Sequence, residues 1–168
     1  MVRRIIIILI VFLSFSCAHE TIYGKKRFTI NIERIKQNKD FEVFKIIDTT
    51  KIYEITSAVY LPDNKGLNSV KKRYLKFYEE GKMGVFYYYD CKDLNSLNPK
   101  MANVGYYNFI NGKLTIQSYF KHPQGGGFIK EKLYKVSNDT LQFLTENILT
   151  TFKAIQLANE FLIYKADW

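Results

Sequence analysis

The stretch of the chain that decides the fold is residues 105–118, Gly-Tyr-Tyr-Asn-Phe-Ile-Asn-Gly-Lys-Leu-Thr-Ile-Gln-Ser. Its centre, Asn111-Gly112, is the strongest short signal for a two-residue β-hairpin, because a type I′ turn needs positive φ at both central positions. Counting outward from the turn gives the expected partners: Ile110 with Lys113, Phe109 with Leu114, Asn108 with Thr115, Tyr107 with Ile116, Tyr106 with Gln117 and Gly105 with Ser118. One face of this hairpin is apolar and the other is polar. This alternation predicts an antiparallel sheet whose apolar face packs on a core.

A second hairpin is predicted around Glu80-Gly81, between Arg73–Glu79 and Lys82–Tyr89. The expected register places Leu75 opposite Phe86 and Phe77 opposite Gly84, so that an aromatic ring covers bare glycine backbone. The opposite face carries three tyrosines, Tyr74, Tyr78 and Tyr87. Because both faces are apolar, we expect the barrel lining, an N-terminal helix or a partner to cover this hairpin.

A third hairpin is predicted to turn at Asn138-Asp139, with Val136 opposite Leu141 and Tyr134 opposite Phe143. Runs rich in β-branched and aromatic residues predict further strands at Phe44–Asp48, Lys51–Tyr60, Ile148–Ile155 and Phe161–Lys165. The chain then has about eight to ten strands, joined after Tyr60 by short loops without a crossover helix. We therefore expect a mainly β, antiparallel meander closed as a barrel, or else split into a sandwich.

Before these strands, residues 28–37 carry Phe28, Ile32 and Ile35 at roughly helical spacing, with Asn31 as a candidate cap. The spacing predicts a short N-terminal helix. The alternation of Phe28, Ile30 and Ile32 fits a strand equally well.

The composition bounds the class of protein. The chain has 168 residues, 47% of them hydrophobic, which suits one domain and argues against disorder. Its two cysteines, Cys17 and Cys91, exclude a disulfide-dense miniprotein and a zinc site of the paired-CxxC kind.

The first residues have the layout of an export signal. Arg3 and Arg4 precede an apolar run from Ile5 to Leu13, which is followed by Ser14-Phe15-Ser16-Cys17. A cationic start, an apolar stretch of the expected 7–15 residues and small residues at the exit are typical of a secretory signal, whereas a spanning helix needs about 20 apolar residues.

The end of this signal resembles the lipobox of bacterial lipoproteins. Ser16 matches the small residue that precedes the modified cysteine, while Ser14 and Phe15 depart from the usual leucine and small residue. The resemblance implies that Cys17 is diacylated, becomes the new N-terminus and is acylated again. It also implies that Ala18, which follows, directs the protein to the outer membrane, where the periplasmic face is the default and the cell surface is the alternative. Two or three acyl chains anchor a protein durably.

The expected organisation is a lipoprotein signal peptide at 1–16, a tether at 17–27 and a single β-rich domain at 28–168. If an ordinary signal peptidase cuts instead, Cys17 stays available to pair with Cys91. Removal of the signal takes away Arg3 and Arg4 and lowers the formal charge from +9 to +7.

The remaining positive charge is mostly scattered lysine, which is typical of a solvated surface. Basic grooves with stacking aromatics do bind single-stranded nucleic acid, but export argues against that partner. The run Lys25-Lys26-Arg27 suits anionic lipid head groups instead. We therefore expect the membrane as a partner, through the lipid, and no nucleic acid.

Candidate chemistry is sparse. His122 lies in a loop with Pro123 and three glycines, and Cys91 is flanked by Asp90 and Lys92. These residues do not make a nucleophile–base constellation, a metal-ligand set or a cofactor motif, so we expect a non-enzymatic protein without metal or cofactor.

The overall layout is similar in architecture to lipocalin-like lipoproteins, with a lipid anchor, a short N-terminal helix and eight or more meandering strands. The glycine and tryptophan that bracket the first strand of that family are absent, because the sole tryptophan is Trp168. Small eight-stranded barrels hold either packed side chains or one small ligand.

The primary hypothesis is a small hydrophobic ligand inside the barrel. The residues expected to face that ligand or to fill the core are apolar and inward in the predicted registers: Leu75, Phe77, Phe86, Tyr107, Phe109, Leu114, Ile116, Tyr134 and Phe143. The alternative is an accessory subunit of an envelope complex that docks through Tyr74, Tyr78 and Tyr87.

Overall fold

The computed structural model describes residues 18–24, 26–28, 41–67, 69–122 and 125–168. Its eleven strands are β1 (Ala18–Glu20), β2 (Lys26–Phe28), β3 (Lys51–Tyr60), β4 (Lys65–Gly66), β5 (Tyr74–Phe77), β6 (Lys82–Phe86), β7 (Asn103–Ile110), β8 (Lys113–His122), β9 (Gly125–Ser137), β10 (Thr140–Thr145) and β11 (Ile148–Gln156). Short 3₁₀ helices lie at Phe41–Lys45, Leu61–Asp63, Leu94–Leu97, Pro99–Met101 and Asn159–Ile163. In these ranges the chain contains no helix that is both long and apolar enough to cross a membrane.

Eight of the strands close into an antiparallel barrel. Each strand from β5 to β11 pairs with the next along the chain, and β3 pairs with both β5 and β11. The closing ladder runs from Ile148 opposite Tyr60 to Gln156 opposite Lys51. The strand β4 adds to the edge of β3 beyond β5, and β1 pairs with β2 in a separate two-stranded sheet. The predicted mainly β meander is confirmed and it closes as a barrel; the N-terminal helix predicted over 28–37 lies outside the described residues, except for Phe28, which ends β2.

The hairpin at Asn111-Gly112 has the predicted register. All six expected partner pairs are present between β7 and β8. Asn111 and Gly112 have φ of 51° and 72°, as a type I′ turn requires.

The hairpin between β5 and β6 differs from its prediction by one residue. Glu80 and Gly81 both have positive φ, and the Lys82 amide donates to the Glu79 carbonyl at 3.3 Å. The Tyr78 amide, however, donates to the Lys82 carbonyl at 2.9 Å, so Glu79 is an extra residue beside the turn. The predicted pairing of Leu75 with Phe86 and Phe77 with Gly84 is therefore wrong: Tyr74 lies opposite Phe86, Leu75 opposite Val85 and Lys76 opposite Gly84.

The third hairpin starts in the predicted register and then slips. Val136 lies opposite Leu141, but the ladder shifts between Gln142 and Phe143, so that Leu133 lies opposite Phe143. The predicted pairing of Tyr134 with Phe143 is wrong because the bulge in β9 turns Tyr134 to solvent.

Two segments predicted as strands are 3₁₀ helices instead. Phe44–Asp48 overlaps the helix Phe41–Lys45, and Phe161–Lys165 overlaps the helix Asn159–Ile163. Some of their apolar residues are buried against the barrel rather than paired in a ladder: Val43 and Ile47 join the barrel core, and Phe161 joins a cluster on the outer face. Phe44 and Ile163 are exposed.

The core has two parts. Inside the barrel, aromatic rings pack edge to face, with ring centroids 5.3 Å apart for Tyr53 and Phe77 and 5.5 Å apart for Phe77 and Tyr107. Outside it, Tyr74 and Phe86 are covered by residues that follow the strands, chiefly Leu97, Ala102, Leu157 and Phe161. The C-terminal segment therefore shields one outer face of the barrel.

Candidate functional site

The two ends of the barrel differ in how they are lined. We call the end where β3 begins the proximal end and the end where β3 finishes the distal end. The proximal half is filled by large buried side chains that meet beneath Val43 and Ile47: Tyr53, Phe77, Met83, Phe109, Leu114 and Leu141. This half of the barrel is a packed core.

The distal half is lined by smaller and more polar side chains. Ser118 lies two residues beyond Ile116 on the same face of β8, and Thr150 lies opposite Ala58 across the closing ladder, two residues from Phe152. All three small side chains are buried, with Ser118 at 6%, Thr150 at 5% and Ala58 at 8% exposure. The inward side chains therefore change from large to small along the barrel axis.

An ion pair lies inside this half. Glu131 is opposite Ile116 on β9 and therefore points inward, while Arg73 lies two residues before the inward Leu75. Arg73 Nη2 donates to Glu131 Oε1 at 3.0 Å, and the guanidinium carbon lies 4.9 Å from the centroid of the Phe152 ring. The carboxylate side chain is 2% exposed and the guanidinium side chain is 17% exposed.

The pair leaves hydrogen-bonding capacity unused. Among the described residues, Arg73 Nε and Glu131 Oε2 are buried without a hydrogen-bond partner, as is Thr145 Oγ1, two residues beyond the inward Phe143. A buried polar atom without a partner costs about 1–3 kcal/mol, and removing two charges from water costs several kcal/mol per ion. We name Arg73, Glu131 and Thr145 the inner polar cluster; it offers an N–H donor and a carboxylate acceptor to a bound molecule.

The distal end has an apolar rim. Exposed apolar side chains stand where β3, β4, β6 and β8 approach this end: Tyr60, Leu61, Leu67, Tyr87 and Phe120. An apolar rim around a partly polar interior suits a molecule with an apolar body and one polar group.

No protein-family model, curated protein or solved structure matches the chain. The barrel and its inner polar cluster are therefore the basis for a functional assignment.

Seven of the nine residues predicted to face the ligand or fill the core lie in the barrel core: Leu75, Phe77, Tyr107, Phe109, Leu114, Ile116 and Phe143. Phe86 points outward into the second cluster, because of the extra residue at the turn. Tyr134 is 61% exposed. The seven belong to the packed core of the barrel.

The predicted partner face is not a continuous exposed surface. Tyr74 and Tyr78 are 4% and 7% exposed. Tyr74 packs edge to face on Tyr89, and Tyr78 packs edge to face on Trp168. Only Tyr87 of the three predicted residues is exposed, so the hairpin is covered by the chain itself.

The inner polar cluster was missed by sequence reasoning, although alternation carries a signal for it. Glu131 lies in phase with Ile129 and Leu133, and Arg73 lies in phase with Leu75 and Phe77. A charged residue at an inward phase on each of two strands predicts a buried pair.

A pocket of about 200 Å³ at the proximal end is lined by apolar residues, such as Ile47 and Leu141, and by charged groups that pair with one another. Lys51 Nζ lies 2.9 Å from Asp139 Oδ1, and Asp48 Oδ1 accepts hydrogen bonds from the backbone and hydroxyl of Thr50. Its charges are paired at the surface, which makes it a weaker candidate than the inner polar cluster.

The remaining sequence candidates stay apart. Cys91 is a free, exposed thiol, and Asp90 and Asp93 accept hydrogen bonds from the amides of Lys92 and Asn95. His122 is the last residue of β8. In the part of the chain that the structure describes, His, Cys, Asp and Glu side chains do not gather in a group of three or more suited to a metal ion. Cys17 lies outside the described residues.

Proposed function

We propose that this protein is a lipid-anchored lipoprotein of the bacterial cell envelope whose barrel binds one small, largely hydrophobic molecule, without catalysing a reaction. The observation that carries the proposal is the inner polar cluster, an ion pair with a buried donor and a buried acceptor that lack hydrogen-bond partners, inside the half of the barrel lined by small side chains. Eight-stranded barrels are wide enough for one small ligand.

The packing of the two halves supports the distal end as the place of binding. Large side chains fill the proximal half, so a ligand there would have to displace them. In the distal half, the buried Ala58, Ser118 and Thr150 take up less of the lumen, and the rim offers apolar surface. Burial of apolar ligand surface contributes about 25 cal/mol per Å².

The envelope location rests on the sequence of the signal. Cys17 follows the apolar run at the position of a lipidated cysteine, and Ala18 follows it. The anchor holds the barrel at the periplasmic face of the outer membrane, where the ligand comes from the membrane or from the periplasm. A lysine-rich tether adds attraction to anionic lipid head groups.

The binding test uses the full chain with Cys17→Ala, which keeps every residue that the structure describes. Titration with the uncharged fluorophore N-phenyl-1-naphthylamine is expected to saturate at one molecule per chain, and native mass spectrometry is expected to show one bound small molecule. The absence of both a saturable fluorescence signal and a bound molecule would overturn the proposal.

Matched variants locate the site. Ser118→Leu adds volume inside the distal half, and we expect it to weaken fluorophore binding about tenfold through overlap. Gln117→Leu makes the same residue on the outer face of the same strand and should leave binding unchanged. Ala58→Val tests the same half with a smaller addition, and thermal melting checks that each variant is folded. Equal effects of Ser118→Leu and Gln117→Leu would contradict the assignment.

The anchor is tested separately in cells. Cys17→Ala is expected to move the protein from the membrane to the soluble fraction, and globomycin is expected to block processing of the unaltered chain. A Cys17→Ala protein that still sediments with the outer membrane would contradict lipidation at this residue.

A further inference from the structure

We propose that the ligand bound in the barrel carries one uncharged group that both donates and accepts hydrogen bonds, such as a primary amide, and that Arg73 and Glu131 hold this group. The inference rests on the proposed function and names the chemical class of its ligand.

The charge of the site argues for an uncharged group. Arg73 and Glu131 form a pair with no net charge, and the bond between Nη2 and Oε1 engages both. A carboxylate entering the site would meet Glu131 Oε2, and an ammonium group would meet Arg73. In a buried site such like-charge contacts are screened weakly, so either ion is disfavoured.

The two buried atoms without a hydrogen-bond partner define the pattern that a ligand has to match. Arg73 Nε is a donor, because guanidinium N–H groups only donate, and Glu131 Oε2 is an acceptor. Each of these two atoms is separated by one carbon from the atom that makes the 3.0 Å contact, so both border the same ion pair. An amide matches them: its carbonyl oxygen accepts from Nε, and its N–H donates to Oε2.

The surroundings fix this pattern in place. The Phe152 ring lies against the guanidinium, with 4.9 Å between the guanidinium carbon and the ring centroid. Glu131 belongs to the long strand β9 and is 2% exposed. The donor and the acceptor are therefore preorganised, and the apolar body of the ligand extends toward the rim at Leu67 and Phe120.

The test compares three probes with one chain length and different head groups, decanamide, decanoate and decylamine. Each displaces N-phenyl-1-naphthylamine from the full chain with Cys17→Ala at pH 7. We expect decanamide to bind about tenfold more tightly than either ion. Equal affinities for the three probes would overturn this inference, but the proposal that the barrel binds a hydrophobic molecule would be retained. Failure of the fluorophore itself to bind would overturn the proposed function as well.

A charge variant tests the role of the carboxylate. Glu131→Gln keeps the shape of the side chain and leaves Arg73 with a net positive charge, so the preference should move toward decanoate by about tenfold. Glu160→Gln removes the same charge from an exposed position and should keep the preference for decanamide. If folded Glu131→Gln ranks the three probes as the unaltered barrel does, the inference is overturned. That result is expected if the cluster holds only water. If Glu131→Gln does not fold, the ranking in the unaltered barrel decides.

Discussion

The indole Nε1 of Trp168 donates a hydrogen bond to the backbone carbonyl of Gly105, at 3.2 Å, on the outer side of β7. The same ring packs edge to face on Tyr78, with 5.9 Å between the ring centroids. Trp168 therefore attaches the C-terminal segment to the barrel wall through a hydrogen bond to Gly105 and a ring contact with Tyr78.

This tie predicts a role for Trp168 in stability. We expect Trp168→Ala to lower the free energy of unfolding by about 2 kcal/mol, because it removes a hydrogen bond and a half-buried ring. Trp168→Phe keeps a ring and loses only the N–H donor, so it should cost about 1 kcal/mol. Urea denaturation measures both, and equal losses in the two variants would contradict a separate contribution of the ring.

Gly105 is predicted to be intolerant of a side chain. A Cβ at this position would stand 3.0 Å from the Met83 carbonyl, 3.2 Å from the Gln117 carbonyl and 2.7 Å from Met83 Cε. Because two of these atoms belong to paired backbone, we expect Gly105→Ala to cost about 2 kcal/mol. Gly66→Ala is the control, since a Cβ there meets no atom within 4 Å, and its effect should stay within about 0.5 kcal/mol. Thermal melts of the two variants that coincide would refute the steric argument.

The ion pair of the inner polar cluster predicts strong coupling between its partners. Glu131→Leu leaves Arg73 buried without its carboxylate, and breaking a buried pair in this way costs about 3–5 kcal/mol. Arg73→Met together with Glu131→Leu replaces both charges by apolar groups and should return to within about 1 kcal/mol of the original stability.

The double-mutant cycle of urea unfolding free energies measures that coupling. Additive losses for Arg73→Met and Glu131→Leu would mean that the two side chains do not stabilise each other. The double variant is also expected to lose the preference for an amide head group while it keeps an intact barrel.

Turn chemistry explains how far the sequence predicts this fold. The pair Asn111-Gly112 fixes its register because both residues adopt positive φ readily, so the whole β7–β8 ladder follows from it. At Glu80-Gly81 the same kind of turn is preceded by an extra residue, Glu79, and this local insertion has no signal in the alternation of the strands. A slip of one residue then moves Phe86 from the inner to the outer face.

The remaining errors have a tertiary cause. Val43 and Phe161 lie in short 3₁₀ helices and are buried by contact with strands. Because a short apolar run can be a strand or a buried helical turn, the sequence pattern alone does not distinguish the two. The inner polar cluster joins Arg73 to Glu131, which are 58 residues apart. Only the closure of the barrel brings such residues together.

Lys76 is a buried lysine on β5, where it lies opposite Gly84 of β6. It is 3% exposed, its ammonium donates to the Thr49 carbonyl, and its Nζ lies 5.5 Å from the centroid of the Tyr78 ring. Burial lowers the pKa of Lys76 from 10.5 to about 8, against the weaker opposing effect of Asp48. The folded protein therefore loses this proton at lower pH than the unfolded chain does.

The pKa of Lys76 predicts that stability rises with pH above about 8. Between the folded pKa of about 8 and the unfolded value of 10.5, the unfolded chain binds more protons, so raising the pH favours folding. From pH 7.5 to 9.5 the expected gain is about 2 kcal/mol, at 1.36 kcal/mol per pKa unit. Burial raises the pKa of Tyr53 to about 12, above its ordinary value of 10.0. Titration of Tyr53 therefore lowers the stability only above about pH 10, outside the range of this measurement. Urea unfolding between pH 7.5 and 9.5 should show the rise in unfolding free energy in the unaltered chain and in Lys100→Met, an exposed control. Lys76→Met should not show the rise. A rise that persists in Lys76→Met would assign it to another group.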